Sequence, residues 1–226
     1  VQGDVTLTNE TVKCNFDRGR RFTVDTMDDL ETAGLAFGRL SAEFIRTKVV
    51  PELDAFRFAA YCGKTGVTKV EGALADGSAV LQALRAASTA LDEAEVPLTE
   101  RYLFITPTLL QGINDMDTTK SKKVLEGFEQ VIKVPQRRFY TAIKQLSGKT
   151  GEEAGGYTKA AGAANINFAI VQKDALIQYT KHAAPKIIAP ENNPDADAYV
   201  FGYRMVGIAK AYKNMLSGMY FSHDKA

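Results

Sequence analysis

Along the first two dozen residues the apolar positions alternate: Val5 and Leu7, then Val12, Cys14 and Phe16, then Phe22 and Val24. These short β-prone runs are broken by Asn9-Glu10 and by residues 17–21. A period of two is that of a strand with one apolar face. The pattern predicts a long hairpin or three-pass ribbon over residues 5–25, with its tip at Asp17-Arg18-Gly19-Arg20, where Gly19 supplies the positive φ of a tight loop. A ribbon with so few apolar residues is marginal alone in water, so it needs a surface to lie on.

From Thr32 the period changes. Phe37, Leu40 and Phe44, then Val49, Leu53, Phe56 and Ala60, keep the three-and-four spacing of one helix face, which predicts a long helix ending near Gly63. Pro51 falls inside it and must kink it or restart it. A second helix carries Val80, Leu84, Ala87 and Leu91 on one stripe, with Asp76 or Ser78 as cap and Pro97 beyond its end. After it come a strand at residues 101–105, a short helix at 108–113, mixed structure at 124–134 and a glycine-rich loop at 148–162. Further strands are predicted at 166–171, 186–189 and 199–203. The order is a ribbon, two helices, then mixed elements returning to strands, which is α+β without the regular alternation of a doubly wound sheet.

Composition changes this picture little. The chain has 226 residues, 45% hydrophobic and 24% charged, with a net charge of +1: folded, and not devoted over its whole surface to polyanions. Charge is uneven, with eight Lys or Arg against two acids over residues 120–149 and seven acids against three bases over 25–54. Cys14 and Cys62 cannot make a disulfide framework, which points to a reducing compartment. There is no apolar run of about 18 residues and no signal-peptide pattern at the start, so the expectation is a chain neither exported nor membrane-spanning.

Enzymatic motifs are missing. Gly63-Lys64-Thr65 and Gly148-Lys149-Thr150 each lack the earlier glycine of a phosphate-cradling loop, those positions being Phe58 and Ile143. His182 and His223 have no second metal-type ligand at helical or hairpin spacing, so no metal and no cofactor is expected. Asp28-Asp29 and Glu152-Glu153 lie in polar runs with nothing apolar to raise a carboxyl pKa. Arg137-Arg138-Phe139-Tyr140 sets a basic pair beside aromatics that could meet phosphate and base, and fits an amphipathic segment equally well.

The most informative stretch is therefore the arginine-rich one. DRGRRFTVDTMDDLET (17–32), EFIRTKVVPELDAFRFA (43–59), RYLFITPTLL (101–110), VPQRRFYTAI (134–143) and APENNPDADAYVFGYRM (189–205), in this order and spacing, resemble the major capsid proteins of tailed bacteriophages. The resemblance implies a capsid protein fold with an extended N-terminal β-hairpin at 1–27, a peripheral domain with a long spine helix at 28–100 and 180–226, and an axial domain at 101–179. The family's N-terminal arm would precede residue 1.

The function implied is self-assembly into the icosahedral head, from hexamers and pentamers, around double-stranded DNA contacted without sequence specificity. Scaffolding, portal or decoration proteins are further partners of that family, and a membrane is not. The location implied is the virion capsid, assembled in the bacterial host cytoplasm. In this reading Phe16, Arg18, Gly19, Arg20, Arg21 and Phe22 form an assembly contact, because guanidinium offers a rigid fork to a carboxylate. The partner set is Asp25, Asp28, Asp29 and Glu31 of an adjacent subunit. Two alternatives stay open: an encapsulin-like nanocompartment of the same fold, and a soluble α+β enzyme using Lys, Tyr or Asp.

Overall fold

The computed structural model describes residues 9–27 and 35–225, with the backbone alone for 35–38. The chain divides into two compact units, one made of Leu35–Ile177 with Lys210–Ala226, the other of Val1–Gly34 with Gln178–Ala209. These lines differ from the expected partition, which grouped residues 180–226 with 28–100. Residues 178–209 instead share a sheet with the segment ahead of the long helix.

In the larger unit, helix α1 (Leu35–Phe44), a π-helical turn (Ile45–Val49) and helix α2 (Val50–Cys62) follow without a break, as the apolar spacing predicts. Pro51 lacks an N–H, and its ring would collide with a regular preceding turn. The wider turn, in which the Val50 N–H donates to the Ile45 carbonyl, absorbs it and leaves Pro51 in the first turn of α2. Gly63 ends α2, its N–H donating to the Ala59 carbonyl at 2.8 Å, so the first Gly-Lys-Thr sits at the carbonyl end of a helix rather than at an anion-favouring N-terminus.

Five strands form one mixed sheet in the order β2 (Thr68–Glu71), β10 (Met219–His223), β7 (Ile166–Gln172), β3 (Arg101–Ile105), β4 (Gln130–Lys133). The outer pairs are parallel, and β7 runs antiparallel to both its neighbours. All seven residues of β7 are buried, which is why INFAIVQ reads as an almost continuous apolar run. On one face, helix α3 (Gly77–Glu93) lays Val80, Leu84, Ala87 and Leu91 onto Leu103, Ile105, Phe168 and Ile170. Asp76 caps that helix, accepting from the Ala79 N–H at 2.7 Å, whereas Ser78 lies inside it. Helix α4 (Pro107–Asp115) crosses α3 where Gly77 meets Gly112, and helix α5 (Thr119–Glu126) follows. On the opposite face Phe58 of α2 stands edge-on to Phe104, with ring centroids 5.3 Å apart.

Arg101, which pattern alone reads as the polar start of a strand, is only 3% exposed. Its guanidinium donates to the Pro97 carbonyl at 2.8 Å, to the Val96 carbonyl and to Asp92 at 2.7 Å, tying the turn after α3 to the sheet. Strands β5 (Ile143–Gln145) and β6 (Tyr157–Lys159) form a separate hairpin whose glycine-rich loop is organised by Glu152. That carboxylate takes Lys144 at 2.6 Å and the Ser147 N–H at 2.7 Å, and these hydrogen bonds hold its pKa down at about 2. A lowered folded pKa means that the carboxylate supports the loop above the ordinary glutamate value, with the support lost as pH falls toward about 2. Glu152→Gln is expected to lower the amide protection factors at residues 146–156 at neutral pH and to remove their further loss on acidification toward pH 2.

The smaller unit is a three-stranded sheet in the order β1 (Phe16–Asp25), β9 (Ala198–Ala211), β8 (Leu176–Ile188). Gly207 lies against Tyr179 and Gly202 against Lys186, so β8 and β9 run in opposite directions, joined by a turn around Pro190–Asn192. The predicted tip at residues 17–20 is not a turn. Phe16–Asp25 is one unbroken strand, with Gly19 opposite Arg204 in the middle of it. The physical reason is the period of two, which runs through the arginines and is matched by a ten-residue partner far away in sequence, Ala198 to Gly207. Gly19 serves close approach rather than positive φ, since a Cβ there would stand 3.1 Å from the Tyr203 carbonyl oxygen. Val5 and Leu7 lie outside the described residues.

Candidate assembly interface

Strand β1 places its side chains on two faces. Phe16, Arg18, Arg20, Phe22 and Val24 share one; Asp17, Gly19, Arg21, Thr23 and Asp25 share the other. On the first face Phe16 is 4% exposed opposite Gly207, Arg18 is half-buried opposite Met205, and Phe22 stacks on Phe201 with centroids 6.4 Å apart. The Arg20 guanidinium lies 5.6 Å from the centre of the Phe22 ring, within cation–π range, and the residue is exposed.

On the second face the charges are matched within the chain. Arg204 grips Asp17 through two nitrogens, at 2.9 and 2.6 Å, and these hydrogen bonds hold the Asp17 carboxyl below the usual carboxylate range. Arg21 faces Asp195 at 3.6 Å, a looser and exposed pair. Asp25 turns back to accept from the Met27 N–H at 2.9 Å. Of the expected acidic partner set, Asp28, Asp29 and Glu31 lie outside the described residues.

The start of β1 is clipped by a side chain. Asn15 donates to the Ala209 carbonyl at 2.8 Å and accepts from the Ala209 N–H at 2.9 Å, so its amide stands in for one more residue of backbone pairing. Removing both bonds in Asn15→Ala is expected to cost about 1–2 kcal/mol, read as a lower urea midpoint together with faster exchange at residues 207–209.

Part of the basic block at 120–149 is paired within the chain. Lys122 pairs with Asp117 at 2.7 Å, Arg138 with Asp54 at 3.0 Å and Lys144 with Glu152 at 2.6 Å. Phe139 is fully buried, its ring 4.7 Å from that of Phe58, so it is core and not a platform for stacking bases. Burial pushes the Asp54 carboxyl above its usual range despite Arg138 beside it. Among the described residues no three His, Cys, Asp or Glu side chains gather as a metal ion needs, and no described helix is long and apolar enough to cross a membrane. Cys62 is buried with its thiol pushed up to about 11, and Cys14 is exposed.

Neither a family model nor a curated protein matches the chain. Solved structures do, over nearly its whole length. A chain of Mycobacterium phage Che8 superposes with a TM-score of 0.61 at 13% identity, covering 98% of this chain and 76% of that one. The capsid structure of cyanophage P-SCSP1u gives 0.57 at 14% identity, covering 97% and 77%. A virus-like particle from Pyrococcus furiosus gives 0.61 at 10% identity, covering 91% and 75%. The fold is that of the tailed-phage capsid proteins, a mixed helix and sheet architecture, as the resemblance of the five sequence stretches implies.

Proposed function

We propose that this chain is a shell-forming major capsid protein, whose copies close into the head of a tailed bacteriophage around double-stranded DNA. The observation that carries the reading is the whole-chain likeness to phage capsid structures, with 97% of the chain matched in the cyanophage case. A three-stranded sheet whose third strand is exposed along most of its length is in keeping with partner contacts. Cyclic capsomers need head-to-tail contacts that close, and many modest interfaces sum to a stable particle. The role is structural rather than catalytic, and the location is the virion capsid, reached by assembly in the host cytoplasm.

DNA would be met on the inner surface without sequence readout. A net charge of +1, with part of the basic block already paired, suits a genome that must enter and leave, since dense phosphate contacts would immobilise it with a steep salt dependence. Sequence preference, or salt-resistant nanomolar binding of DNA by isolated capsomers, contradicts this.

A shell enclosing other cargo is the second reading, favoured by the likeness to the virus-like particle from Pyrococcus furiosus. The contents separate the two. Nuclease-protected double-stranded DNA inside particles recovered from infected cells is expected, and particles holding protein without DNA favour the second reading.

A further inference from the structure

The five-stranded sheet of the larger unit ends at β2, and every residue of that edge strand is exposed, Val70 at 43%. In a parallel pair, alternate residues turn both backbone groups toward the partner strand. The Gly72 N–H donates to the His223 carbonyl at 2.9 Å, so residues 68, 70 and 72 face β10 while the N–H and C=O of Lys69 and Glu71 face outward. Among the described residues no strand covers that side, which makes it a template for pairing. Resting on the shell reading, we infer that β2 pairs antiparallel with the β2 of a second copy, about a two-fold axis through Val70.

Three features of the strand select a copy of itself as the occupant. In this register Lys69 of each copy stands opposite Glu71 of the other, so the symmetry matches both charges twice. Those same two residues carry the outward backbone groups, so the register that pairs the charges also exchanges their N–H and C=O bonds. Val70 then meets Val70 at the non-hydrogen-bonded position, where side chains approach most closely, and an exposed apolar side chain is covered. Moving the axis by one residue sets Lys69 on Lys69 or Glu71 on Glu71, which is destabilising. A lysine on a short edge strand ordinarily blocks pairing, and Glu71 lifts that block for this partner in particular. The contact is isologous, whereas capsomer rings close head to tail, so in the shell it joins copies of different rings.

Cysteine at the axis supplies the probe, because Cys62 is buried with its thiol pushed up to about 11 and the exposed Cys14 is removed by Cys14→Ser. Opposed residues at a non-hydrogen-bonded position have Cα atoms about 4.5 Å apart, within disulfide reach. Assembled particles of Cys14→Ser with Val70→Cys, mildly oxidised, are therefore expected to yield disulfide-linked dimers. With Thr68→Cys in its place they are not, since that residue and its symmetry copy stand roughly 14 Å apart along the strands. Independently, Lys69→Glu or Glu71→Lys alone sets like charges opposite each other and is expected to cut particle yield about tenfold. Both changes in one chain, or the two single variants mixed, restore opposite charges and are expected to recover the yield. Particles in which Val70→Cys gives no link, or links no more than Thr68→Cys, overturn the pairing and leave the shell reading standing. Single reversals without effect, or a double reversal that does not recover the yield, overturn it as well. Failure of the unmodified protein to form particles overturns both.

Discussion

Gly77→Ala is expected to destabilise the larger unit by about 3 kcal/mol, at the upper end of ordinary overpacking. A Cβ at Gly77 would stand 2.2 Å from the Gly112 carbonyl oxygen and 2.9 Å from the Met116 sulfur. The methionine can move, but the carbonyl belongs to the backbone of α4, so the helices must separate. For a chain of this size the loss corresponds to a fall in Tm of roughly 6–12 °C. The reciprocal change gives the control. A Cβ at Gly112 would meet the Gly77 backbone at 3.6 Å, ordinary contact, and glycine inside a helix costs up to about 1 kcal/mol relative to alanine. Gly112→Ala is therefore expected to be neutral or stabilising in thermal melts. Equal losses from the two substitutions would show that the contact at Gly77 does not set the packing of α3 on α4.

Arg18→Glu with Arg20→Glu is expected to leave the subunit folded and to lower particle yield at least tenfold in light scattering. Both arginines lie in β1 on the face shared with Phe16 and Phe22, and Arg20 is an exposed residue whose guanidinium lies 5.6 Å from the centre of the Phe22 ring. Asp17 and Arg21 on the opposite face already have partners in Arg204 and Asp195, so reversing the first-face pair leaves those contacts in place. An exposed ion pair is worth only about 0–1 kcal/mol, but a bidentate contact repeated at every subunit multiplies through a shell. Adding Asp28→Lys and Asp29→Lys is expected to restore part of the yield. If the double glutamate variant assembles normally, the arginines are not assembly contacts. If it fails and the swap does not rescue it, their partner is not the acidic set at residues 25–31.

What pattern reveals and what it hides divide along sequence distance. The helix over residues 35–62, the capped stripe of α3 and the strand at β7 are set by near neighbours in sequence, and all were legible. Even the disturbance at Pro51 was, because the missing N–H is a local fact. The misreading of Gly19 as a tip has the opposite origin: its strand is defined by Arg204 across the ladder, and a glycine between charged residues looks like a turn until that partner is known. The strands expected at residues 186–189 and 199–203 fall at the end of a 13-residue strand that stops at Ile188 and within one of 14 residues, whose remaining positions lack a clean alternation. Arg101 was invisible as an anchor, since a buried arginine is recognised only through the carbonyls and the carboxylate that surround it. For the interface, the arginine cluster was legible as an exposed feature but was read as a turn and not as the middle of a strand, and the pairings of Asp17 with Arg204 and Arg21 with Asp195 required the fold.

Electron microscopy of the purified protein, with sedimentation in parallel across a range of concentrations, tests the shell reading most directly. Closed particles of uniform diameter, or rings of five and six subunits that convert to them, are expected. A species that remains a monomer or small oligomer at every concentration, with no particles in infected-cell lysate, contradicts it.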